Sequence, residues 1–159
     1  MNVVETVLPT NHQRIGSISN AHAGREFEVF AQGYFRNIEN LPLRPNFSVR
    51  LGVGTKQKAH SFDLGSDDPA VLVECKSHTW TNSGNMPSAK VTVWTEAMYY
   101  FHIAPANFRK ILFVLEARHE RQNETLAEYY VRTNGHLIPD GVSIFEYNPS
   151  TQSGRYVVR

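Results

Sequence analysis

The chain has 159 residues, of which 41% are hydrophobic and 19% charged, and its 16 basic and 15 acidic side chains leave a formal net charge of +1. This length suits one domain around a single core, and the composition excludes a disordered or fibrous chain. The one cysteine, Cys75, excludes an internal disulfide framework and a multi-cysteine zinc site. No signal-peptide pattern and no apolar run of membrane-span length is visible, so we expect a cytoplasmic protein with no membrane contact.

The first predicted element is a helix that begins at Ala21. Residues 1–20 are mixed and rich in turn formers, so we predict an irregular lead-in there and a single domain over 21–159. From Ala21 onward, apolar residues recur at steps of three and four and form one helical stripe, namely Phe27, Phe30, Ala31, Tyr34 and Ile38. Pro42 and Pro45 cannot continue the helix, so it ends before them.

The rest of the chain alternates between strand and helix patterns. We predict an extended segment over 46–55, strands over 58–65 and 70–77 joined by a turn at 66–69, a loop, and a helix over 88–103. A buried strand over 110–117, a helix capped by Asn123 and stopped by Gly135, and strands over 142–147 and 153–159 follow. This order predicts an α/β fold with a mixed central sheet and helices on both faces.

The two predicted strands around residue 68 contain the residues with chemical potential. A four-residue turn would set Asp63 opposite Leu72 and Ser61 opposite Glu74, so that Asp63, Glu74 and Lys76 share one face. Two buried acids are costly unless something neutralises them, and Mg²⁺ binds through one or two carboxylates while keeping several waters. A neighbouring lysine can position or deprotonate a water, so the set suits metal-assisted phosphodiester hydrolysis. The alternative is a structural ion pair between Glu74 and Lys76 on an edge strand.

Two motifs in this region resemble those of the PD-(D/E)XK nucleases, the restriction-endonuclease-like superfamily. Asp63, ten intervening residues and then Glu74-Cys75-Lys76 match the signature, although Phe62 stands where a proline is usual. The segment GREFE at 24–28 is similar to the G-x-x-F-E pattern that precedes this hairpin in Holliday-junction resolvases and Mrr-like nucleases. The predicted α-β-β-β-α-β order also resembles the superfamily core, over residues 21–117.

The resemblance implies a Mg²⁺-dependent endonuclease that cleaves DNA, with Mn²⁺ as a substitute. Asp63, Glu74 and the backbone carbonyl of Cys75 would hold the metal, and Lys76 would assist the attacking water. Glu28 would complete the metal shell, with Glu26 as the alternative. The rival interpretation is a non-catalytic nucleic-acid-binding module of the same fold. The small chain leaves little room for a separate sequence-reading domain, so we expect a partner or a homodimer to supply specificity.

Basic and aromatic residues near the motif are the candidate DNA contacts. Lys58 and Lys90 lie in stretches with few acids, and alternation places His78 beyond Lys76 on the same face. Trp80 lies in the polar loop, where it would stack on a base or pack locally. The bland alternative is a solvated basic stretch. His60, His78 and His102 lack zinc-ligand spacing, so we expect ordinary hydrogen-bonded or solvated histidines.

Overall fold

The computed structural model describes residues 16–159, with side chains from residue 21 onward. Three α-helices, six strands and one 3₁₀ turn make up this part of the chain. In chain order they are α1 (Gly16–Asn37), β1 (Arg44–Val53), β2 (Lys56–Asp67), β3 (Ala70–Lys76), α2 (Ser88–Ile103), β4 (Arg109–Leu115), α3 (Leu126–Asn134), the 3₁₀ turn (Gly135–Leu137), β5 (Val142–Asn148) and β6 (Ser153–Val158). No helix among these residues is long and apolar enough to cross a membrane.

The strands form one mixed sheet in the order β1-β2-β3-β4-β5-β6. Strand β3 pairs in parallel with β4, and β4 pairs in parallel with β5, whereas the three remaining neighbouring pairs are antiparallel. The central parallel strands are buried on both faces, which explains the unbroken apolar run of β4. The predicted α/β class with a mixed sheet is confirmed, as is β6 as an edge strand.

Helices cover both faces of the sheet, as predicted. On one face α1 packs through Phe27, Ala31 and Phe35 against Val73, Phe113 and other strand residues, and we call this the α1-side core. On the other face α2 and α3 bury a set of large side chains that includes Trp94, Met98, Phe101, Leu126 and Tyr130, and we call this the α2-side core. Glu74 and Lys76 lie on the strand between these two cores.

Helix α1 differs from the prediction in its first residue and in the set of apolar residues that it buries. It begins at Gly16, so residues 16–20 are helical rather than irregular, and residues 1–15 of the predicted lead-in lie outside the described residues. Phe30 and Ile38 are 38% and 67% exposed, and Phe35 is buried instead. The reason is that the buried positions follow steps of four, Phe27, Ala31 and Phe35, which leaves Phe30 on the flank of the helix.

Helix α3 is capped by Thr125, so the prediction of Asn123 as N-cap is wrong. The Thr125 hydroxyl accepts a hydrogen bond from the Glu128 backbone N–H, and the Glu128 carboxylate accepts one from the Thr125 N–H. This reciprocal capping box satisfies two free helix donors, whereas Asn123 has a positive φ of 46° in the preceding loop. The predicted helix over 88–103 and the stop before Gly135 are confirmed.

The hairpin of β2 and β3 has a tighter turn than the sequence predicts. Asp67 pairs with Ala70, so Asp68 and Pro69 alone form the turn and the predicted pairing of Gly65 with Ala70 is wrong. Gly65 instead pairs with Leu72, a shift of two residues. Because strand side chains alternate with a period of two, this shift keeps the paired residues 64–67 and 70–73 on their predicted faces while moving each partner along by two.

Candidate functional site

The candidate site lies where β2 and β3 separate. Their antiparallel pairing ends at Leu64 and Val73. One residue further, the Asp63 carboxylate Oδ2 accepts a hydrogen bond from the backbone N–H of Cys75 at 2.7 Å. An acidic side chain is therefore held against the main chain of the central strand β3.

Strand β2 also changes face at this point. Leu64 lies in the α1-side core, but Phe62, two residues before it, lies in the α2-side core. In the neighbouring strand β1, Pro45 pairs with Leu64 and Phe47 pairs with Phe62. Asn46, between these two paired residues, has a φ of +52°. Strict alternation would keep Phe62 and Leu64 on one face, so the strand turns over at Asp63.

Lys76 connects the two acidic residues of the motif. Its Nζ lies 2.7 Å from Glu74 Oε2 and 3.8 Å from Asp63 Oδ2. The structure thus brings Asp63, Glu74 and Lys76 together, as the sequence predicts, although Asp63 is not opposite Leu72.

Glu74 has a second partner that the sequence analysis missed. His60 Nε2 lies 3.2 Å from Glu74 Oε1, and the imidazole stacks on Tyr100 of α2 with ring centroids 3.7 Å apart. Ser61, predicted opposite Glu74, is exposed instead. No sequence signal could have found His60, because its position depends on the turn-over of β2 at Asp63.

Glu28, and not the exposed Glu26, feels the charges of Asp63, Lys76 and Glu74. Burial raises the pKa of the half-buried Glu28, and the negative charge of Asp63 raises it further. The positive charge of Lys76 lowers this pKa by a smaller amount, and the negative charge of Glu74 raises it slightly. Glu26 is exposed. Helix α1 therefore brings a third carboxylate into the field of the other two.

The site carries more negative than positive charge. Burial raises the pKa of Glu74, whose side chain is only 8% exposed; Lys76 counteracts this shift and Asp63 reinforces it. Burial lowers the pKa of Lys76, but the charges of Glu74 and Asp63 outweigh that effect, so the net direction is upward. Lys76 therefore stays an ammonium, and one such charge faces three carboxyl groups.

These residues suit a hard divalent cation by their donor chemistry. Carboxylate oxygens are the ligands of Mg²⁺ and Mn²⁺. Burial is the main cause of the raised pKa values of Glu28 and Glu74, and a cation would relieve the added repulsion from the neighbouring carboxylates. Within residues 16–159, no three His, Cys, Asp or Glu side chains form a ready-made metal shell. A cation would be held by one or two of the carboxylates, as is usual for Mg²⁺.

The side chain of Cys75 is part of the core. It lies in the α1-side core, and burial raises the pKa of its thiol well above the ordinary value. Its contribution to the site is through the backbone, where its N–H binds Asp63.

Two of the four candidate DNA contacts, His78 and Lys90, lie close enough for the charge of Lys90 to act on the His78 ring. His78 Nδ1 accepts a hydrogen bond from Trp94 Nε1–H at 3.0 Å. Burial lowers the pKa of His78 to about 4, helped by the positive charges of Lys90 and Lys76. Lys90 is exposed in the first turn of α2.

The other two candidates lie elsewhere. Trp80 packs locally: its indole N–H donates to the Ala117 carbonyl at 2.9 Å, and its ring contacts His119 and Tyr129 edge to face. Lys58 is exposed and pairs with Leu51 on the long hairpin of β1 and β2. Of the predicted DNA contacts, His78 is the one whose pKa responds to the charge of Lys76.

Comparison with family models, curated proteins and solved structures finds no match to this chain.

Proposed function

We propose that this chain is a divalent-metal-dependent nuclease with a restriction-endonuclease-like core that hydrolyses DNA phosphodiester bonds. The observation that carries the proposal is the contact of Lys76 Nζ with Glu74 Oε2 at 2.7 Å and with Asp63 Oδ2 at 3.8 Å. The order α1-β1-β2-β3-α2-β4 supports the proposed core arrangement.

A purely structural ion pair accounts poorly for this cluster. That alternative places Glu74 and Lys76 on an edge strand, but β3 lies between β2 and β4 inside the sheet. A buried ion pair is itself a weak source of stability, because desolvation offsets the Coulomb attraction. A third carboxylate, Glu28, adds repulsion to this cluster. Charged side chains that are held close together although they lower the stability of the fold are typical of a functional site.

Each residue then has a role in the hydrolysis. Asp63 and Glu74, with Glu28 and the Cys75 carbonyl in support, would hold Mg²⁺ or Mn²⁺, which when bound supplies charge neutralisation for the attacked phosphate. Lys76, an ammonium, donates hydrogen bonds and orients the attacking water or a phosphate oxygen. His60 fixes the Glu74 carboxylate. His78 and Lys90 contact the phosphates that flank the cleaved bond.

The second candidate is a DNA-binding module of the same fold without catalysis. One observation favours it: both Glu74 oxygens already have partners inside the protein, Lys76 and His60. In that case the chain would bind DNA tightly, with or without metal, and would cut none. A second copy of the chain or another protein would supply specificity in either case.

The test is cleavage of plasmid, linear, branched and single-stranded DNA with Mg²⁺, Mn²⁺ or EDTA. Asp63→Asn and Lys76→Ala remove the site charges, and Asp140→Asn is the matched control because Asp140 is exposed in the turn before β5. We expect metal-dependent cleavage in the wild type and the control and none in the site variants. Tight binding without cleavage would support the module instead, and cleavage by Lys76→Ala would refute the proposed site.

A further inference from the structure

A polar cavity of about 780 Å³ lies between two loops on the side of the sheet where β3 and β4 end. Residues 79–85, which follow β3, form one wall, and residues 117–122, which follow β4, form the other. Strands β3 and β4 are parallel, so the loops that follow them leave the sheet at the same edge. The cavity lies between these two loops.

The walls of the cavity are fixed by buried hydrogen bonds. His119, which is buried, accepts the backbone N–H groups of Arg121 and Gln122 at Nδ1, 3.0 and 3.1 Å away. Its Nε2 therefore carries the hydrogen and donates to the Gly84 carbonyl at 2.8 Å, which ties the two loops together. Trp80 makes a second tie through Ala117. Because the two loops are already ordered, a ligand that binds between them loses less free energy to ordering of the protein.

The lining is rich in hydrogen-bond donors and slightly basic. Asn82, Arg121 and Gln122 are exposed there, and within residues 16–159 their side chains make no hydrogen bond or ion pair. Arg118 adds a second guanidinium, and Glu120 is the one acidic residue of the lining. Amides and guanidinium groups match the polar edges of a nucleobase and the oxygens of a phosphate.

The cavity is also close to the candidate active site along the chain. Thr79, which lines it, follows Lys76 by three residues, so their Cα atoms are at most about 11 Å apart. That distance corresponds to about three nucleotides at the 3.4 Å rise of one DNA strand. A DNA strand that places a phosphate at Lys76 can therefore reach the cavity with one of its next nucleotides.

We propose that this cavity binds an unpaired nucleotide of the DNA strand that is cleaved at Lys76. The inference rests on the proposed function and narrows its substrate class, because a base inside a duplex cannot enter a pocket unless it leaves the stack. The volume lies within the range of small-ligand pockets. DNA with an unpaired stretch beside the cleaved bond is therefore the preferred substrate over continuous duplex.

Binding can be tested without cleavage, because the chain has two tryptophans, one at each location. Trp80 lines the cavity, and Trp94 donates to His78 beside Lys76, so their indole ¹H–¹⁵N signals report the two places separately. We titrate the full chain in EDTA with 5′-phosphorylated dT₄ and with dTMP. We expect the Trp80 signal to shift with dT₄ and to shift only at concentrations at least tenfold higher with dTMP.

Variants decide whether the cavity is the binding site. Arg121→Glu, which reverses a charge in the lining, should weaken dT₄ binding at least tenfold, whereas Arg36→Glu, on the exposed end of α1, should not. An unmoved Trp80 signal, equal weakening by Arg36→Glu, or dTMP binding as tight as dT₄ would overturn the inference.

A cleavage experiment distinguishes a failure of the cavity assignment from a failure of the proposed nuclease function. With Mg²⁺, the wild type should cut duplex containing an unpaired stretch at least tenfold faster than continuous duplex, and Arg121→Glu should lose that preference. Cleavage with the preference intact in Arg121→Glu would overturn the cavity assignment and leave the nuclease standing. A Trp80 shift that Arg121→Glu abolishes, without cleavage of any DNA, would support the cavity and refute the nuclease.

Discussion

The Asp63 carboxylate accepts the backbone N–H of Cys75 at 2.7 Å, at the point where β2 and β3 stop pairing. Asparagine can accept the same hydrogen bond without the charge, whereas alanine leaves the N–H without this partner. We therefore expect Asp63→Ala to be less stable than Asp63→Asn by about 1–2 kcal/mol. Both variants should lose cleavage. Urea unfolding measures the difference, and equal midpoints would show that the bond contributes nothing to stability.

Replacing Lys76 with methionine removes the one ammonium that faces Glu74 and Asp63. Breaking a buried pair leaves an uncompensated charge, so we expect a loss of roughly 3 kcal/mol in the free energy of unfolding. Cleavage should fall at least 100-fold, in line with the loss of a group that handles the attacking water. Because a cation can replace the missing charge, Mg²⁺ should raise the Tm of this variant more than that of the wild type.

The control for Lys76→Met is Lys56→Met, since Lys56 is exposed at the end of the β1–β2 hairpin. The Tm of Lys56→Met, and the change in that Tm on addition of Mg²⁺, should match those of the wild type. A Tm of Lys76→Met that Mg²⁺ leaves unchanged would argue against a cation site at Glu74 and Asp63.

His60 should act as a positioning residue for Glu74. In His60→Phe the ring can still stack on Tyr100 but cannot donate to the carboxylate, whereas His60→Gln keeps a donor. Loss of one such hydrogen bond corresponds to about tenfold in rate. We expect His60→Phe to lower kcat about tenfold with little change in KM, and His60→Gln to recover part of the rate. Equal kinetics for wild type and His60→Phe would contradict this role.

Acid should destabilise the fold through His78. Its pKa is about 4 in the folded chain and about 6.5 in the unfolded chain, so between these values the unfolded state binds more protons. Stability should therefore fall as the pH drops from about 6.5 to about 4, by roughly 1–3 kcal/mol after allowance for partial exposure. Burial, with repulsion from Lys90 and Lys76, keeps the ring neutral, and its Nδ1 accepts the hydrogen bond from Trp94.

The matched variant for this acid effect is His78→Asn, which offers Trp94 an acceptor but does not titrate. Guanidinium unfolding at pH 7 and pH 4.5 compares it with the wild type. His78→Asn should lose less stability on acidification, and parallel curves for the two proteins would show that His78 is not the group responsible.

Arg155 neutralises a buried acid on the opposite edge of the sheet from the candidate site. Glu146 is 2% exposed and lies 2.5 Å from Arg155, which also contacts Glu128. Arg155→Met should destabilise the protein by roughly 2–3 kcal/mol, at the low end for a broken buried pair because Arg155 is half exposed. Adding Glu146→Gln should restore most of that loss in thermal unfolding. No recovery in the double variant would show that Arg155 acts through packing.

The sequence by itself determined the elements and the identity of most candidate site residues. The apolar run of β3 is a local signal and predicted a strand, and Pro87 followed by a stretch without a turn signal predicted α2. The period of two placed Glu74 and Lys76 on one face even though the turn was misjudged. Only the tertiary structure decided the contacts of His60, the approach of Glu28 to the charge of Asp63 and the cavity beside Trp80. Those depend on the tight Asp68–Pro69 turn, the change of face at Asp63 and the meeting of two distant loops, which are long-range packing outcomes that no local pattern encodes.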